Sequence, residues 1–128
     1  MTTFNSMHNR AVWFDVPVAD LDRAAAFYRA VLAIDVQKQE LDGFALCFLA
    51  HDEGNGGCLI PGTDEISSTG GILLYLNVDG RIRDAVAEVE KQGGTVKEPI
   101  HAIGPHGFRA VVLDSEGNRI ALHSNTDA

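Results

Sequence analysis

Alternation of apolar and polar positions marks two similar stretches of the chain, one beginning at Val12 and the other at Ile72. In the first, Val12, Phe14, Val16 and Val18 fall on one face of an extended strand, with Trp13, Asp15 and Pro17 on the other. In the second, Ile72, Leu74, Leu76 and Val78 oppose Leu73, Tyr75 and Asn77. One face is apolar throughout and is expected beneath a helix. The other is mixed, which suits the lining of a cavity.

Each strand runs into an acidic residue, Asp20 or Asp79, placed to satisfy free amides and complement the dipole at a helix start. The first helix is expected over 21–32, with Leu21, Ala24, Ala25, Tyr28, Val31 and Leu32 as its apolar stripe. The second is expected over 81–92, burying Ile82, Ala85, Val86 and Val89 and stopping at Gly93-Gly94. Short strands follow at 34–40, 44–49 and 57–60 in the first half, and at 95–98, 108–113 and 119–124 in the second. Asp42-Gly43, the glycine-rich run 53–57 and Glu116-Gly117-Asn118 read as turns between them. The order is βαβββ twice. It predicts an α+β fold of one domain over 1–128, with modules at about 10–62 and 71–124, a linker over 62–70, and curved sheets around a cavity. Residues 1–8 and 125–128 are expected to be loose.

The 128 residues are enough to bury a core without metal or disulfide support. A net charge of −8 repels phosphate backbones and anionic lipid, so neither nucleic acid nor a membrane is an expected partner. No apolar run approaches the roughly 20 residues of a membrane-spanning helix, and the polar start of the chain does not read as a secretory signal. Cys47 and Cys58 read as reduced thiols of a cytoplasmic protein. By alternation, Cys58 should turn under a helix and Leu59 into the cavity.

The run Trp13 to Ala24 with Phe27-Tyr28 resembles the opening of vicinal oxygen chelate proteins, the glyoxalase, bleomycin-resistance and extradiol-dioxygenase superfamily. Tyr75 to Asp79, Gly93-Gly94 and Leu113 to Ile120 are similar to the closing half of the same superfamily. The resemblance covers about 10–124. It implies a homodimer and, in metal-using members, four cavity side chains that hold a divalent ion. Those four slots fall here on Trp13, Leu59, Leu73 and Ala121. Indole, isobutyl and methyl groups supply none of the imidazole, carboxylate or thiolate donors a divalent ion needs. No metal or other cofactor is therefore expected, and a divalent metal enters only under the alternative below.

A step of two residues along a strand stays on the same face. It reaches Asp15 from Trp13, Tyr75 from Leu73 and His123 from Ala121, so Asp15, Tyr75, Asn77 and His123 are expected to share a polar zone. A carboxylate near an imidazole suits acid–base work, which makes Asp15 and His123 the candidate catalytic pair. The plainer reading is that Asp15 pairs with Arg10, Arg109 or Arg119, that His123 is a hydrogen-bonded strand histidine, and that Asn77 ties down a turn. His101 and His106 flank a loop placed to cross the cavity mouth.

Two functions follow. One is a metal-free binder of a small, largely apolar organic molecule held by Trp13, Leu59, Leu73, Tyr75, Asn77, His106, Phe108 and Ala121. The other is a glyoxalase-like lyase or isomerase that uses Asp15 and His123, with or without a displaced divalent metal. A third possibility is a pocket filled by its own side chains in a protein that serves only as an assembly partner.

Overall fold

Strand pairing in the computed structural model keeps the two halves as separate four-stranded sheets. The structure describes residues 5–128, with Leu41 for its backbone only. In the first half, β1 (Asp15–Val18) leads to α1 (Leu21–Leu32), β2 (Val36–Leu41), β3 (Phe44–Leu49) and β4 (Cys58–Pro61). In the second, β5 (Leu74–Asn77) leads to α2 (Ile82–Lys91), β6 (Thr95–Ala102), β7 (Phe108–Leu113) and β8 (Arg119–Ser124). The orders are β1-β4-β3-β2 and β5-β8-β7-β6, with β1–β4 and β5–β8 parallel and the other pairs antiparallel. The βαβββ repeat read from the sequence is the observed architecture.

The pleat sorts side chains as the alternation requires. Val16, Val18, Cys47 and Leu49 join Ala24, Tyr28 and Val31 of α1 in one core, continuous with Leu76, Ala110, Val112 and Leu122 under α2. Asp20 caps α1, its Oδ1 accepting the Arg23 amide at 3.0 Å. At the second helix the expected cap is not used: Arg81 holds the N-cap position. Asp79 instead accepts the Asn125 amide at 2.6 Å and the Ser124 hydroxyl at 3.3 Å, because β8 ends beside it. Gly93 follows α2 with φ of +88°, the left-handed stop expected there. Asp42 and Gly43 both take positive φ, as a two-residue hairpin twisted to match its strands requires.

Strand β6 outruns its expected end by four residues, 99–102. Its register against β7 shifts between Val96 and Glu98 and again before His101, and Pro99 is tolerated because β6 is an edge strand. The ends of the chain are also better tied than expected. Residues 1–4, part of the stretch expected to be loose, lie outside the described residues. From Asn5 onward the segment is bonded to the 53–55 loop, with Asn5 N–H donating to Asn55 Oδ1 at 2.9 Å and Asn55 Nδ2 donating to the Asn5 and Ala11 carbonyls. Near the other end Arg83 Nε donates to the Asp127 carbonyl at 2.6 Å.

The modules meet through α1, α2 and the β7–β8 turn. Glu116 of that turn accepts the Ala19 and Asp20 amides and receives Arg23 Nε at 2.7 Å. Asn118 Nδ2 donates to the Pro17 carbonyl at 2.7 Å, and the buried Tyr28 hydroxyl donates to Asp114 at 2.6 Å. Burial and the adjacent Asp114 charge both push the Tyr28 phenol up, keeping its proton available for that bond. Residues that read as a plain turn are thus the clamp between halves.

Candidate functional site

Away from its helix, the first sheet carries a cavity of about 550 Å³. Phe44, Leu46 and Phe48 of β3 and Ile60 and Pro61 of β4 wall it, with Asp15 and Cys58 as its polar groups. The register explains the grouping: Asp15 pairs with Cys58, and Cys58 with Phe48, so the three form one row across β1, β4 and β3. Within that row the Cys58 thiol donates to Asp15 Oδ1 at 3.1 Å. Burial and then the Asp15 carboxylate push the thiol up to about 11, partly offset by a bond from the Trp13 side chain. Trp13 meets Phe48 edge-on with ring centroids 6.1 Å apart, and His51 similarly.

The phase of β4 is therefore one residue from the expected one. Leu59 pairs with Val16 and Cys47 and is fully buried in the helix-side core, while Cys58 takes the cavity face. Both assignments made from alternation are corrected. Phe108 is corrected likewise. It shares a face with Ala110 and Val112 and packs against the core beneath α2, rather than opening toward a ligand.

The corresponding face of the second sheet carries polar side chains that bond to one another. Arg109 Nη1 donates to the Tyr75 hydroxyl, and Arg109 Nε donates to His101 Nε2 at 3.1 Å. Glu98 lies 3.6 Å from the same guanidinium. Because β8 lies between β5 and β7, the Tyr75–Arg109 bond spans it, over Ala121, which pairs with both Tyr75 and Val111 and is fully buried. Both His101 nitrogens are committed, Nδ1 donating to the Pro99 carbonyl at 2.8 Å. His123 Nε2 donates to the His106 carbonyl at 2.7 Å, and its ring lies 6.5 Å from that of Tyr75. Asn77 Oδ1 accepts the Asp79 amide at 2.8 Å, tying down the turn. Leu73 lies just before β5 and is half-buried.

Asp15 and His123 are thus held on separate sheets by separate partners. Tyr75 and His123 do share a zone, with Arg109 as a member that the sequence reading had placed only as a possible partner of Asp15. Nor does Asp15 pair with an arginine: among the described residues no ion pair involves it. Among the described residues the lining of the first-sheet cavity includes no second-module residue and none of Trp13, Leu59, Leu73 and Ala121. The donor chemistry does not fit a four-ligand divalent ion. Trp13, Leu73 and Ala121 offer no donor, Asp15 and Cys58 are only two, and no group of three or more His, Cys, Asp and Glu converges among the described residues.

Two βαβββ units, each a four-stranded sheet with its helix packed on one face, define the class of fold. The chain belongs to the Glyoxalase/Bleomycin resistance protein/Dioxygenase superfamily, whose profile matches residues 10–122. Among solved structures it is similar to a hypothetical protein from S. aureus, with TM-score 0.70 and 18% identity over 91% of this chain and 94% of that one. A glyoxalase-related enzyme from Fulvimarina pelagi aligns with TM-score 0.69 and 17% identity over 91% and 88% of the two chains. The genomically encoded fosfomycin resistance protein FosX from Listeria monocytogenes gives TM-score 0.67 and 14% identity over 91% and 93%. No curated protein matches the sequence. At these identities the likenesses speak for the fold. Among the described residues no helix is long and apolar enough to cross a membrane.

Proposed function

We propose that the chain binds a small, largely apolar organic molecule in the first-sheet cavity, without the four-ligand metal centre of its metal-using relatives. The observation that carries this reading is the wall of Phe44, Leu46, Phe48, Ile60 and Pro61 around about 550 Å³, with few polar anchors. Apolar walls and sparse polar groups are what such ligands require. The lyase or isomerase reading draws less support, since it needs Asp15 and His123 to act on one substrate and no contact joins them. We propose further that the protein works in the cytoplasm as a homodimer. Ile72, 92% exposed, and the half-exposed Phe44 are large apolar surfaces that association would cover.

The test is mass spectrometry of small molecules carried through native purification, followed by titration of the recovered compound against Trp13 emission. Trp13 is the single tryptophan and adjoins Phe48, so a bound ligand should shift its fluorescence. A saturating ligand that leaves Trp13 emission unaltered, or stoichiometric divalent metal in protein purified without chelators or nickel resin, would overturn the reading. Light scattering should give twice the chain mass.

A further inference from the structure

We infer that the ligand taken by this cavity carries a positive charge, such as a protonated amine, that pairs with Asp15. The inference rests on the cavity reading above and narrows it to a chemical class. Among the described residues that line the cavity, Asp15 alone is charged. Its hydrogen-bond partner there is a thiol, a weak donor that leaves most of a carboxylate's acceptor capacity to water. The carboxylates withdrawn from water at the junction of the modules are met by the protein itself. Glu116 has Arg23 and two amides, and Asp114 has Tyr28, Asn118 and the Glu116 amide. Arg109 of the second sheet is likewise engaged by its own neighbours, Tyr75, His101 and Glu98.

Asp15 is exposed, so water solvates it. An organic molecule filling the cavity displaces that water. A neutral apolar filler would strip part of that water from the carboxylate without replacing its hydrogen bonds, which is unfavourable. An anionic filler would add repulsion. A hydrophobic cation instead supplies the missing partner and gains from the faces of Phe44 and Phe48. The net charge of −8 also concentrates cations near the protein.

The experiment titrates the full chain with three probes that share an arene and a short alkyl arm: phenethylammonium, phenethyl alcohol and hydrocinnamate. Binding is read by calorimetry and Trp13 emission. The ammonium should bind about tenfold or more tighter than the alcohol, and the carboxylate weakest, as expected for one charge-assisted bond. Asp15→Asn should erase the gap between ammonium and alcohol, Asp15→Glu should retain part of it, and Phe48→Ala should weaken both. Equal binding of ammonium and alcohol to the wild type, or a gap that survives Asp15→Asn, overturns the inference and leaves the cavity reading standing. Failure of all three probes to give saturable binding that moves Trp13 emission overturns both.

Discussion

At Cys58 burial and a neighbouring carboxylate act in the same direction, which makes the thiol a poor nucleophile at neutral pH. Its alkylation by iodoacetamide should be slow at pH 7 and rise about tenfold per pH unit until the pH approaches 11, as the thiolate fraction does. Asp15→Asn removes an acceptor of the thiol proton and a like charge, so it should speed alkylation at fixed pH. Peptide mass spectrometry, which separates Cys58 from Cys47, would measure both effects. The orientation of this residue was not legible in the sequence. Gly56 and Gly57 precede β4 and carry no side chain to report which face is which, so alternation has no anchor there and a slip of one residue exchanged Cys58 for Leu59. Asp15, by contrast, sits in a strand with an unbroken apolar face, and its place away from the helix could be read directly.

The elements themselves were legible because each has its own periodicity. The stripe from Leu21 to Leu32 sets the bounds of α1, and β3, β7 and β8 lie where the apolar runs put them. The extension of β6 was not, since Pro99 argues against a strand when its edge position is unknown. Close packing between elements also went unseen, and Gly94 is the clearest case. A methyl group there would collide with the Leu113 carbonyl oxygen and lie 2.8 Å from Phe27 and 2.9 Å from Val89, pinning α1, α2 and β7 together. Gly94→Ala should therefore cost about 1–3 kcal/mol in urea denaturation. Gly54→Ala, where the added methyl meets nothing within 4 Å, should be close to neutral.

For the whole molecule the decisive contacts cross between modules, and no local pattern encodes them. Glu116 reaches residues almost a hundred positions away in the chain. Burial raises its carboxyl, but Arg23 and the Asp20 amide outweigh that and hold it near 2, below its ordinary 4.5. A carboxyl depressed in the folded state contributes stability that is fully present above pH 4.5 and is lost as the pH falls toward 2. Glu116→Gln should accordingly be less stable than wild type at neutral pH. The difference between their urea midpoints should shrink through that acidic window; a difference independent of pH would contradict the role given to the Arg23–Glu116 pair.

The pleat of the first sheet has one more consequence. Each rung sends one side chain into the shared core and the next toward the cavity, so positions 44, 48 and 60 can change identity without disturbing the residues that hold α1 in place. Such a scaffold lets natural selection, or a protein engineer, reshape the cavity wall while the thermodynamic reserve of the fold stays almost untouched.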